Sequence, residues 1–258
     1  MTDGKPAPWP DWRNAAAYAF TERLTREQWP WEFLRRNPDY RREWAAFMTT
    51  WLELEAAYGR PPNRNFTAWR QDPRAWVLAS HCASGECRID QDRILIECAL
   101  GARFGFHKFP PDPADDDPVG AGRLVWRERP APAVQELGPP ELARLSARSA
   151  AEPAQMILAF DLSRPLRAQL EQAKRHLQMA QRLRVREGRL TLATVAGLRG
   201  RWTCALRLLD GESAGTTGET LAQGLASGCG GDQRAALGVE ARRLRDGGYL
   251  DILDLPEG

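Results

Sequence analysis

Three histidines, five cysteines and a run of three aspartates are the side chains here whose chemistry goes beyond packing. His81, Cys82, Cys87, Cys98 and His107 lie close enough in sequence to suggest zinc. A structural zinc site needs two tight ligand pairs, and Cys98 and His107 make no second pair, so no metal is expected. With Cys204 and Cys229, the cysteines are odd in number and far apart, which reads as reduced thiols in a cytoplasmic protein. Asp115, Asp116 and Asp117 stand between prolines and read as a solvated loop. None of His81, His107 and His176 accompanies a nucleophile motif, so no catalytic residue is assigned and no enzyme is expected. Gly228, Gly230 and Gly231 follow no strand and lack a lysine, so no phosphate loop and no cofactor is expected.

The arginines carry more information. A net charge of +2 over 258 residues is too small to announce a nucleic-acid binder, so the distribution of charge decides. Residues 1–150 balance at 21 basic and 21 acidic, whereas Arg164 to Arg207 holds eleven Lys and Arg against two acids. A surface for a polyanion therefore belongs to the C-terminal half. The last predicted helix, capped by Asp232 and ending at Asp246, has Leu237, Ala241 and Leu244 on one side and Arg234, Arg242 and Arg245 on the other. A recognition helix needs that division, one face for its partner helix and one carrying donors for phosphates or guanine edges.

The elements that must position these residues read mainly as helices. Asp11 is a plausible cap for a helix to about Leu24, and Thr25 with Gln28 fits a capping box for the next. Asn37-Pro38 opens the clearest helix, with Tyr40, Trp44, Phe47, Trp51, Leu54 and Tyr58 at steps of three and four before Gly59. Residues 93–100 fit a strand or a helix end. Arg103 to Phe109 and Arg123 to Arg127 read as two strands able to pair as a hairpin, and Met156 to Phe160 as another strand. Ser163 then caps a long helix whose apolar stripe, Leu166, Leu170, Ala173, Leu177, Ala180 and Leu183, lies beside a basic one, Arg167, Lys174, Gln178 and Arg182. A helix from about Ala193 or Gly200 is expected to stop at Asp210-Gly211, followed by a short one capped by Thr216 or Thr217.

The run Trp31-Glu32-Phe33-Leu34-Arg35-Arg36-Asn37-Pro38-Asp39-Tyr40, with Asp11-Trp12-Arg13 and Tyr18, resembles the N-terminal domain labelled "transcriptional regulator" on proteobacterial mobile elements. Ala102 to Phe106, Phe109-Pro110 and Val125-Trp126-Arg127 are similar to the end of that domain. Ala159 to Leu166 and Arg243 to Leu253 resemble the two ends of its usual partner, a helix-turn-helix variant with an extended turn. The combination looks like the excision activators of integrative and conjugative elements. That resemblance implies DNA binding by a positive C-terminal face, interdomain contacts through the opposite face, and activation of excision and transfer genes. Between Leu225 and Gln233 this chain is short and glycine-rich where the family carries a longer turn.

The expected fold is therefore mainly α with a few short strands. An N-terminal helical interaction domain (residues 1–135) and a linker (136–152) precede a C-terminal helix-turn-helix-like DNA-binding domain (153–258). Arg234, Arg242, Arg243 and Arg245 are expected to approach double-stranded DNA, with phosphate contacts from Arg199, Arg201 and Arg207. Trp29, Trp31, Phe33 and Tyr40 are expected at interdomain or partner contacts, the partner being RNA polymerase or an antiactivator protein. No run approaches about eighteen apolar residues, so no membrane partner is expected. The alternative is a protein-binding regulator without base reading, favoured if Glu219, Asp232, Glu240 and Asp246 interrupt the positive face.

Overall fold

The computed structural model describes residues 9–78, 92–107, 109–128, 156–225, 229 and 234–258, apart from the Arg234 side chain. It is mainly α-helical, with one two-stranded sheet among the described residues. The chain divides into two compact units, one formed by Met1–Glu128 with Thr194–Gly258 and the other by Arg129–Ala193. The expected division at 136–152 follows chain order, whereas the compact units interleave the chain. His81, Cys82, Cys87, Asp232 and the expected linker lie outside the described residues.

The first unit opens with a 3-10 segment, Ala15–Arg23, capped by Asn14 rather than Asp11, the Asn14 carboxamide accepting from the Ala16 N–H. Its three-residue repeat puts Tyr18 and Thr21 on one side, and both are buried. Thr25 and Gln28 form the expected capping box, each side chain accepting from the other's backbone N–H at 3.3 and 2.8 Å. Helix α1 (Gln28–Leu34) buries every residue from Trp29 to Leu34. A helix apolar all round must be enclosed, and α1 packs against the closing 3-10 segment Gly248–Asp254 and the last helix. Asn37 accepts from the N–H groups of Asp39 and Tyr40 to start α2 (Pro38–Tyr58), which Gly59 ends with φ +84°.

Helix α3 (Phe66–Gln71) leads into β1 (Trp76–Leu78), which pairs antiparallel with β2 (Arg93–Leu95), Trp76 opposite Leu95 and Leu78 opposite Arg93. Strand and helix both occur in 93–100, since β2 runs straight into α4 (Ile96–Phe104). Of the strand expected over 103–109, Arg103 and Phe104 are instead the last residues of α4. What remains of the hairpin is one bridge, Phe106 to Trp126, with Arg127 N–H donating to Gly105 O and His107 N–H to Val125 O. Gly105 makes the corner at φ +85°, where Leu250 leaves no room for a Cβ.

In the second unit, residues 156–160 form no strand, and among the described residues no strand pairs with them. Ser163 does not cap the long helix, α5 (Leu166–Arg186). Its hydroxyl donates to Asp161, and Gln169 ties α5 to this loop by accepting from the Asp161 N–H. Helix α5 buries none of its residues.

The remaining helices return to the first unit. Thr194 caps α6 (Val195–Ser213) by accepting from Gly197 N–H. The helix does not stop at Asp210-Gly211. Asp210 gains a buried partner there, and Gly211 sits against Trp12 and Leu221, where a Cβ would collide. Thr217 precedes the short α7 (Gly218–Gly224), and α8 (Arg234–Arg245) packs on α6 through Leu237, Ala241 and Leu244. Cys204 and Cys229 are joined in a disulfide, contrary to the expectation of reduced thiols. Their separation of 25 residues hid the pairing, because only the fold brings their Cα atoms to 5.8 Å.

Candidate functional site

Within the first unit, the decapeptide 31–40 faces two sets of partners. Toward the acidic, proline-rich loop, the Trp31 indole N–H donates to Asp115 O at 2.8 Å and the Tyr40 hydroxyl to Pro111 O at 2.6 Å. Arg35 donates to Pro113 O, Glu32 and Asp116. The loop is therefore held by its backbone carbonyls, a feature the run of aspartates did not announce. Toward the C-terminal helices, Arg36 grips Asp210 of α6 with two bonds, Nε to Oδ1 at 2.7 Å and Nη2 to Oδ2 at 2.9 Å, while Nη1 reaches Glu32. Asn37 donates to Arg245 O at 2.9 Å.

The Arg36 network is buried, with Glu32, Arg36 and Asp210 each below 8% exposure. Burial alone pushes the Arg36 guanidinium down, and the charges of Asp210 and Glu32 more than offset it and hold the pKa up. The Tyr18 hydroxyl donates to Asp210 at 2.5 Å; burial and then that carboxylate push its pKa well up. A charge set of this kind holds its members in one arrangement, because removing one leaves the others desolvated and unpaired. Beside it a cavity of about 650 Å³ is lined by Trp9, Phe20, Leu24, Glu32, Arg35 and Arg36. Its buried charges are already matched among themselves and with Asp116 and Asp210.

The aromatic residues expected at partner contacts are interior. Trp29, Trp31, Phe33 and Tyr40 are at most 1% exposed. Trp29 stands edge-on to Trp202 of α6 at 5.2 Å between centroids, and Tyr40 packs edge-on to Phe104 and Phe106. Trp29, Trp31 and Phe33 crowd the short α1, and all of them pack inside the first unit.

The arginines expected at DNA are placed unequally. Arg207 is buried and donates to the carbonyls of Trp12, Arg13 and Gly224, so it serves the interior and presents no charge outward. Arg199 donates to the carbonyls of Glu22 and Leu24. Arg242 and Arg243 are exposed on α8, Arg242 paired with Glu212 at 2.6 Å and Arg243 with Asp251 at 2.8 Å. Arg245 is half-buried and pairs with Asp246, and Arg201 pairs with Glu240. The Arg234 side chain lies outside the described residues. On α5, in the second unit, Arg167, Lys174 and Arg182 are exposed and make no ion pair among the described residues.

Among the described residues, no group of three His, Cys, Asp or Glu could hold a metal, and no helix is long and apolar enough to cross a membrane. No curated protein and no solved structure matches the chain. Residues 11–72, the stretch that holds Tyr18, the capping box and the whole decapeptide, match the family model of the proteobacterial transcriptional regulator-like domain, which supports a regulatory role for the protein.

Proposed function

We propose that the protein is a DNA-binding transcriptional regulator, an activator of excision or transfer genes of a mobile element. One observation carries the reading. Helix α8 buries Leu237, Ala241 and Leu244 against α6 and turns Arg242 and Arg243 outward, after the short α7 and a connection of nine residues. That order of helices and that division of faces suit a recognition helix seated on a supporting pair. The exposed cations Arg167, Lys174 and Arg182 of α5 add a sequence-independent attraction for phosphates. The match over residues 11–72 supports regulation in general, and the resemblance of the C-terminal segment supports the mobile-element role.

A second reading is a protein-binding regulator without base recognition. It is favoured by the acids that accompany the candidate arginines, Glu212, Glu240, Asp246 and Asp251. Exposed pairs of this kind are worth about 0–1 kcal/mol and exchange readily for phosphate, so they weigh against DNA binding only modestly.

The deciding experiment measures binding to promoter fragments from the protein's own genetic neighbourhood at two salt concentrations, with a scrambled duplex beside them. Selective binding that falls steeply with salt and is lost in Arg242→Ala with Arg243→Ala supports the activator. Equal binding to the scrambled duplex overturns promoter recognition and leaves the protein-binding regulator.

A further inference from the structure

We propose that the Cys204–Cys229 pair is a redox-sensitive clip that sets how firmly α8 is held on α6. Cys204 lies midway along α6, and Cys229 lies between the end of α7 at Gly224 and the start of α8 at Arg234. Cys229 stands only five residues before the first residue of α8 in sequence. Cys229 itself is the anchor, 5% exposed, its sulfur bonded to Cys204 and 3.6 Å from the Arg207 guanidinium. In the disulfide state Cys229, just before α8 in sequence, is tied covalently to the centre of α6. In the dithiol state the seat of α8 on α6 rests on its apolar face, Leu237, Ala241 and Leu244.

The exchange partner is a low-molecular-weight thiol such as glutathione. Its thiolate attacks the Cys204 sulfur, the S–S bond breaks, and the electron pair leaves on Cys229 beside the positive Arg207, which favours a thiolate leaving group. A second glutathione thiolate then attacks the mixed disulfide and releases glutathione disulfide, and both protein sulfurs end as thiols. The reverse sequence, with glutathione disulfide as oxidant, re-forms the clip. Because both cysteines are nearly buried, exchange follows a local opening around the disulfide and reports on it directly.

The test equilibrates the full-length protein in glutathione buffers from strongly reducing to strongly oxidising, alkylates free thiols, and quantifies the peptides carrying Cys204 and Cys229. The expected result is a reversible transition within that range. The reduced form should melt on the order of 10 °C lower, with faster amide exchange in α8 and unchanged exchange in α2. Cys204→Ser and Cys229→Ser should each reproduce the reduced form in every buffer, and Cys98→Ser should behave as the parent. A pair that stays oxidised throughout would be a permanent staple, and one that never oxidises would be no clip; either overturns the proposal. So does a full redox transition that leaves both α8 exchange and melting unchanged.

Discussion

Arg36 and Asp210, 174 residues apart in sequence, meet as a two-armed ion pair that solvent hardly reaches. One belongs to the stretch that matches the regulator-like domain and the other to the helix that carries α8, so a single interaction fixes each against the other. Asp210→Ala should cost about 3–5 kcal/mol, the usual loss when one partner of a buried pair is removed. Urea unfolding gives the value. A loss under 1 kcal/mol would mean that Glu32 alone satisfies Arg36.

The tyrosine hydroxyls predict the response to alkali. Burial raises the pKa values of Tyr18, Tyr40 and Tyr249, with Asp210 adding to the shift at Tyr18. A raised folded-state value gives stability that is complete below the unfolded value of 10.0 and falls as pH rises beyond it. Each tyrosine contributes a slope of about 1.4 kcal/mol per pH unit. Denaturant midpoints taken from pH 9 upward should decline steeply past pH 10, and Tyr249→Phe should make the decline shallower. An unchanged slope in that variant would show that Tyr249 does not contribute.

Asn37 separates capping from contact with α8. Its carboxamide oxygen starts α2, while its amide nitrogen donates to Arg245 O. Asn37→Ser keeps a cap and loses the second bond, and Asn37→Ala loses both. Thermal unfolding should rank parent, serine and alanine in falling order, with about 1–2 kcal/mol lost at alanine from the cap alone. Equal losses for the two variants would mean that the cap contributes nothing.

Gly211 predicts a coupled pair. A methyl group there meets Leu221 and Trp12, so Gly211→Ala should destabilise by about 1–3 kcal/mol through overpacking. Adding Leu221→Ala should recover part of that loss, a departure from additivity that a double-mutant cycle measures. Additive losses would place the strain against Trp12 instead.

Local signals in the sequence were readable where they are self-contained. Asn37, Pro38 and Gly59 bound α2, and Thr25 with Gln28 starts α1, because caps and left-handed stops act within one turn. Asp210-Gly211 carries the same kind of stop signal, yet the helix runs on, since Arg36 and Trp12 wait on the other side. Arg207 looked like its solvent-facing neighbours because the carbonyls it serves come from Trp12 and Arg13, nearly two hundred residues away. The Cys204–Cys229 pairing was hidden for the same reason. At the candidate surface the apolar face of α8 and the acid beside Arg245, Asp246, were readable, whereas Glu212 and Asp251, which pair with Arg242 and Arg243, come from other elements and were not.

The pairing of residues up to Glu128 with Thr194–Gly258 also bears on how the protein is made. A nascent chain that has emerged only through its first half holds Trp29 without Trp202 and Arg36 without Asp210. Its aromatic surface stays uncovered until α6 arrives, long-range closure of this kind is slow, and the growing chain is open to aggregation or chaperone capture throughout that interval.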